Sequence, residues 1–169
     1  MYNENNISKS KRVALTGVMV ALSMLLSYLE TLIPLNIGIP GVKLGLANVV
    51  VIALIEKLPF GNLFLISTIR VLLSALLFGN SATLLFSVSG AVLSLIVMFV
   101  LKRSEKFSSV GISIAGGVSH NIGQLLVAAF LSGSMRIVYY IPALLLSGII
   151  TGLIIGIFGA YIGKRLKEV

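Results

Sequence analysis

The stretch LGLANVVVIALIEKL, Leu44–Leu58, decides how this chain is built. It is apolar enough for a membrane helix, but about 15 residues at 1.5 Å each give only about 22 Å. A crossing needs about 20 residues for roughly 30 Å of hydrocarbon. If Leu44–Leu58 crosses, the chain crosses six times and both ends lie on one side. If it does not, the ends lie on opposite sides.

Five longer apolar runs surround it: Arg12–Ile33, Phe60–Gly79, Ser81–Leu101, Ser108–Leu131 and Ile137–Gly163. Apolar residues make up 57% of the chain and charged residues 11%, and mean hydropathy is +1.10. So few charges cannot cover a soluble domain of 169 residues, which typically carries about a quarter charged residues. The basic residues settle the parity. With six crossings, one side holds Lys9, Lys11, Arg12, Lys57, Lys102, Arg103, Lys106, Lys164, Arg165 and Lys167. The other holds Lys43 and Arg136, and Arg70 lies inside a run. Ten against two is a positive-inside pattern, and it places both termini in the cytoplasm. The expected fold is all-α and integral to the membrane. It comprises a cytoplasmic tail (1–11), a six-helix domain (12–163) and a basic tail (164–169). KSKR ahead of the first run resembles a signal peptide, but the run is longer than an h-region and no Ala-x-Ala site follows. It is expected to remain as the first helix.

Between the first two runs lies ETLIPLNIGIPGVKLG, whose Pro34, Gly38, Pro40, Gly41 and Gly45 forbid a regular helix. A short second helix starts below the outer surface, so this segment either dips inward as the wall of a ligand site or forms an ordinary outer loop. Irregular backbone at membrane depth is tolerated where protein or trapped water satisfies its amides.

Arg70 stands halfway along the third run. A guanidinium keeps its proton, and placing it at the bilayer centre costs from about 3 kcal/mol upward. It must face the bundle interior and find a partner. Glu30 is the nearest candidate carboxylate, so Arg70 either holds a ligand's anionic group or pairs with Glu30 to order the bundle. In the fifth run, His120 and Gln124 are four apart and Asn121 and Gln124 three apart, which puts all three on one helical face at mid-depth. Asn48 on the second run can join them. Together they describe a polar pocket among the second, third and fifth helices, or a set of interhelical hydrogen bonds. Lys43 would meet negative charge near the mouth. Gly148, Gly152 and Gly156, and on the first run Ala14, Gly17 and Ala21, form stripes of small residues. The first set reads as internal packing and the second as a docking face for a membrane partner.

Other chemistry is excluded. There is no cysteine, hence no disulfide or thiolate site. GAYIGKR has the wrong spacing for a nucleotide-binding loop and no Ser or Thr after its lysine. All five acids are glutamates, so no aspartate-rich motif can hold magnesium against a diphosphate. No catalytic residue, metal site or cofactor is expected.

The segments ETLIP, IPGVKLGLANVV, IRVLLSALLFG and SIAGGVSHNIGQLLVA resemble the membrane family of heptaprenyl diphosphate synthase component I, also called the Gx transporter family. That family is similar to the S-components of energy-coupling-factor transporters. The resemblance implies a six-helix bundle in the bacterial plasma membrane, with both termini cytoplasmic. It implies a small-molecule site under the first loop, and a first helix that docks on a transmembrane coupling protein and its ATPase module. The function implied is a substrate-binding subunit for a small ligand, anionic or of flavin, quinone or prenyl type. The other reading is a non-catalytic membrane subunit of heptaprenyl diphosphate synthase or of an extracytoplasmic electron-transfer system. Nothing points to nucleic acid.

Overall fold

The structure, a computed structural model, describes residues 9–32, 45–79, 81–133 and 135–166. Lys43 and the Pro34–Leu44 part of the first loop lie outside the described residues, as do residues 1–8 and 167–169 of the tails.

All described secondary structure is helical: α1 (Lys9–Leu32), α2 (Asn48–Leu54), α3 (Phe60–Phe78), α4 (Ser81–Arg103), α5 (Ser109–Ser132) and α6 (Ile141–Arg165), with a 3₁₀ turn, Met135–Tyr140, leading into α6. Five of these are long and apolar enough to cross a bilayer, and α2 is the exception. Helices of this length and polarity make the chain a multi-pass membrane protein.

Local chemistry sets the ends. Pro59 is extended and caps α3, whose first turn needs no proline N–H. The Ser108 side chain accepts the Gly111 N–H at the start of α5, satisfying one orphan donor of the first turn. Gly133, at φ +59°, stops α5 in the left-handed conformation that glycine adopts without strain.

The second helix is shorter than Leu44–Leu58. Its regular part has seven residues, flanked by turns in which Asn48 N–H donates to Gly45 O and Leu58 N–H to Leu54 O. Every residue from Val50 to Ile55 is at most 4% exposed. A helix apolar all round is one that other helices enclose, and this explains how so short an element is held. α2 runs parallel to the C-terminal half of α6: Gly45 sits at the level of Ile155, Ile52 at Gly159 and Ala53 at Gly163. It therefore matches only about half of α6, and residues 33–44 connect it back to the far end of α1.

Around α2 the helices pack in the order α1, α3, α4, α5, α6. The tightest seam is α5 on α6. A Cβ at Gly117 would fall 2.5 Å from the Gly148 carbonyl oxygen, and one at Gly152 2.6 Å from Ile114 Cα. Lipid is as apolar as leucine, so helices associate in membranes by such close backbone contact. At the end of the bundle where α2 finishes, Lys102 donates to the Ile55 carbonyl. There Glu56 accepts from Ser109 Oγ at 2.7 Å. These bonds tie the α2–α3 connection to the α4–α5 connection.

Candidate functional site

A polar hollow of about 30 Å³ opens among α2, α4, α5 and α6. Asn48, His120 and Asn121 line it, joined by Ser94, Ser113 and Thr151. The volume admits water and falls far below the roughly 300 Å³ of a typical organic-ligand pocket.

Each wall follows from local packing. His120 lies flat against Gly90 of α4, where a Cβ would stand 2.8 Å from Cε1 and 2.9 Å from both ring nitrogens. Only glycine leaves room for that imidazole. Asn121 reaches across to α6 and donates from Nδ2 to Leu144 O at 2.8 Å. Ser94 Oγ donates to Gly116 O at 2.8 Å, and Thr151 Oγ1 to Ser147 O at 2.9 Å. Gln124 is buried at 7% exposure with no hydrogen bond to Oε1 among the described residues. It sits one turn beyond the hollow and does not line it.

Arg70 is elsewhere. The expected pocket joined the second, third and fifth helices, but α3 contributes nothing to the hollow. Its place is taken by α4 and α6, because the glycines of α5 draw those two helices in. Arg70 belongs to the α1–α3 seam, where its electrostatic partner is Glu30. Glu30 Oε1 also accepts the Gly45 N–H at 2.5 Å, which fastens the start of the α2 segment to the end of α1. The rings of Tyr28 and Phe78 meet at 5.1 Å on the same seam. The sequence-predicted residues thus divide into two groups: Asn48, His120 and Asn121 in one, Arg70 and Glu30 in the other.

Sequence reasoning missed Gly90, Ser94 and Thr151. A signal existed for the first two: SVSGAVLSL puts Gly90 and Ser94 one turn apart in an otherwise bulky helix. Thr151, among the glycines of α6, gave none. Two apolar hollows also lie among the described residues. One, about 440 Å³, lies between α1, α2 and α6; the other, about 240 Å³, lies between α5 and α6. Ala14, Gly17 and Ala21 are exposed on α1, and a Cβ at Gly17 would meet nothing within 4 Å. No cluster of three or more metal-ligating side chains exists among the described residues.

Compared with known proteins, residues 19–162 match the family model described as heptaprenyl diphosphate synthase component I. No curated protein and no solved structure matches the chain.

Proposed function

The chain belongs to the heptaprenyl diphosphate synthase component I family, and from that premise we propose that it is a non-catalytic membrane subunit working with a separate catalytic partner. The observation that carries this is the family match, read together with an acid inventory of five glutamates and no aspartate. Prenyl elongation needs carboxylates to hold magnesium against a diphosphate, and this chain has no such pattern to offer. The chemistry then belongs to the partner, and this subunit supplies a place in the membrane. In this reading the chain makes six crossings of the bacterial plasma membrane, α2 being a half-height one, with both termini cytoplasmic. The ten-to-two distribution of basic residues supports that orientation.

Two measurements test it. Affinity purification of the tagged chain from its native membrane is expected to bring down a soluble prenyltransferase subunit; recovery of an ATPase module instead would overturn the reading. Orientation is accessible because the chain has no cysteine. Ser10→Cys and Ser104→Cys should react with a membrane-impermeant maleimide only from the cytoplasmic side, and Ser132→Cys only from outside.

A second reading, a substrate-binding subunit like the S-components, is favoured by one observation: the small-residue stripe Ala14, Gly17 and Ala21 faces outward on α1. There it could seat a transmembrane coupling protein. Asn48, His120, Asn121 and Gln124 would then serve a small flavin-, quinone- or prenyl-type ligand, with Lys43 toward the outer side. The hollow would have to widen to admit one.

A further inference from the structure

Ser27 Oγ, Arg70 Nη2 and Ser74 Oγ are shut away from solvent and have no hydrogen-bond partner among the described residues. The three sit on two facing stripes. Ser23, Ser27 and Glu30 follow one another at helical spacing on α1, and Ser67, Arg70 and Ser74 do so on α3. The two helices pack together. The interaction of Glu30 with Arg70 links the stripes, and the Tyr28–Phe78 contact brings their ends side by side. One seam thus concentrates a guanidinium nitrogen and two hydroxyls that no described residue satisfies. Most buried polar groups find a partner in protein, ordered water or a bound ion, so these three call for one.

The donors outnumber the acceptors. A guanidinium brings five N–H groups and each serine one O–H. The carboxylate in reach, Glu30, already spends Oε1 on the Gly45 N–H. A phosphate suits a guanidinium nitrogen and two hydroxyls carried on two helices, because it presents three oxygens in different directions and arginine is a preferred phosphate donor. A carboxylate accepts about as many bonds but through two coplanar oxygens, which three side chains on two helices meet less well.

We propose that the α1–α3 seam is a phosphate-recognition site, in which Arg70 and the hydroxyls of Ser27 and Ser74 donate to phosphate oxygens and Glu30 is the internal anion that the ligand displaces from the guanidinium. The site is separate from the hollow on α2, α4, α5 and α6, and it does not depend on which partner the subunit serves. The phosphate can arrive from water or on an amphiphile dissolved in the bilayer.

The test uses the full chain in phosphatidylcholine nanodiscs. One arm titrates inorganic pyrophosphate against sodium chloride of equal ionic strength, read by calorimetry. The other incorporates dodecyl phosphate into the disc and reads the melting temperature. Saturable binding in the first arm assigns an aqueous phosphate, and a dose-dependent rise in the second assigns a lipid-borne one. Ser27→Ala and Ser74→Ala should each weaken binding about tenfold, the scale of one hydrogen bond to a charged group. Arg70→Lys, which keeps the charge and loses the fork, should weaken it further, and Glu30→Gln should tighten it by removing the competitor. Should Arg70→Lys fail to fold, the serine variants still decide. The proposal is overturned if neither probe binds to wild type or to Glu30→Gln, if either serine variant binds as wild type does, or if acetate binds as tightly as pyrophosphate.

Discussion

The α5–α6 seam and the α1–α3 seam solve the same problem in opposite ways. Both join long apolar helices in a bilayer that gives no hydrophobic reward for joining them. The first does it with backbone, through Gly117, Gly148, Gly152 and Gly156. Its one cross-helix side-chain bond among the described residues, Asn121 to Leu144 O, is satisfied. The second brings an arginine, a glutamate and serines together and leaves three polar atoms without partners among the described residues. One seam is closed by design of its small residues and has no slack for change. The other holds hydrogen-bonding capacity that no described residue uses.

Four substitutions bear on that contrast. Gly152→Leu should have the largest effect, because its Cβ would enter the backbone of Ile114; a loss of about 3 kcal/mol is expected, measured as reversible unfolding in mixed micelles. A mild effect would mean that the seam yields, and the contrast would fail. Arg70→Met comes next. It leaves Glu30 without its counter-charge and should cost about 2 kcal/mol, less than for a typical buried pair because the Gly45 N–H still donates to Glu30 Oε1. Adding Glu30→Gln should recover most of that loss, and a double-mutant cycle without coupling would dissolve the pair. Asn121→Leu removes the bond to Leu144 O and should cost only about 0.6 kcal/mol, the usual worth of an interhelical hydrogen bond in a membrane protein. Gly17→Ala is the smallest and has the opposite sign. Nothing lies within 4 Å of its Cβ, so the isolated chain should gain about 0.5 kcal/mol from better helix propensity, seen as a raised melting temperature.

What was legible in the sequence was position along each helix. Arg70 and His120 do fall at the middles of their helices, and the glycines of α6 do pack inside the bundle. Azimuth was not legible. Helical spacing puts His120, Asn121 and Gln124 on one face but does not say which helix that face meets. Arg70 was therefore assigned to the neighbourhood of His120, although α3 packs on α1 and α4 and the hollow forms on the other side of α4. The length of α2 was misread for a related reason. In VVVIALI, 49–55, every residue is apolar, so no periodicity separates a membrane-facing helix from one enclosed by its neighbours. The Gly90–His120 contact needed a pairing of α4 with α5 that no local pattern in either helix specifies.

The half-height α2 has a consequence for how the protein is made. Seven helical residues are too few to partition into a bilayer alone. The surface that later shelters them belongs to α6: Ile52 rests on Gly159, 107 positions further along the chain (159 − 52). At about 5–20 residues per second, the ribosome takes roughly 5–20 s to cover that distance. Throughout that interval the nascent segment must wait beside the translocon or at the membrane surface, so biogenesis of this bundle ends by seating its second helix rather than its sixth.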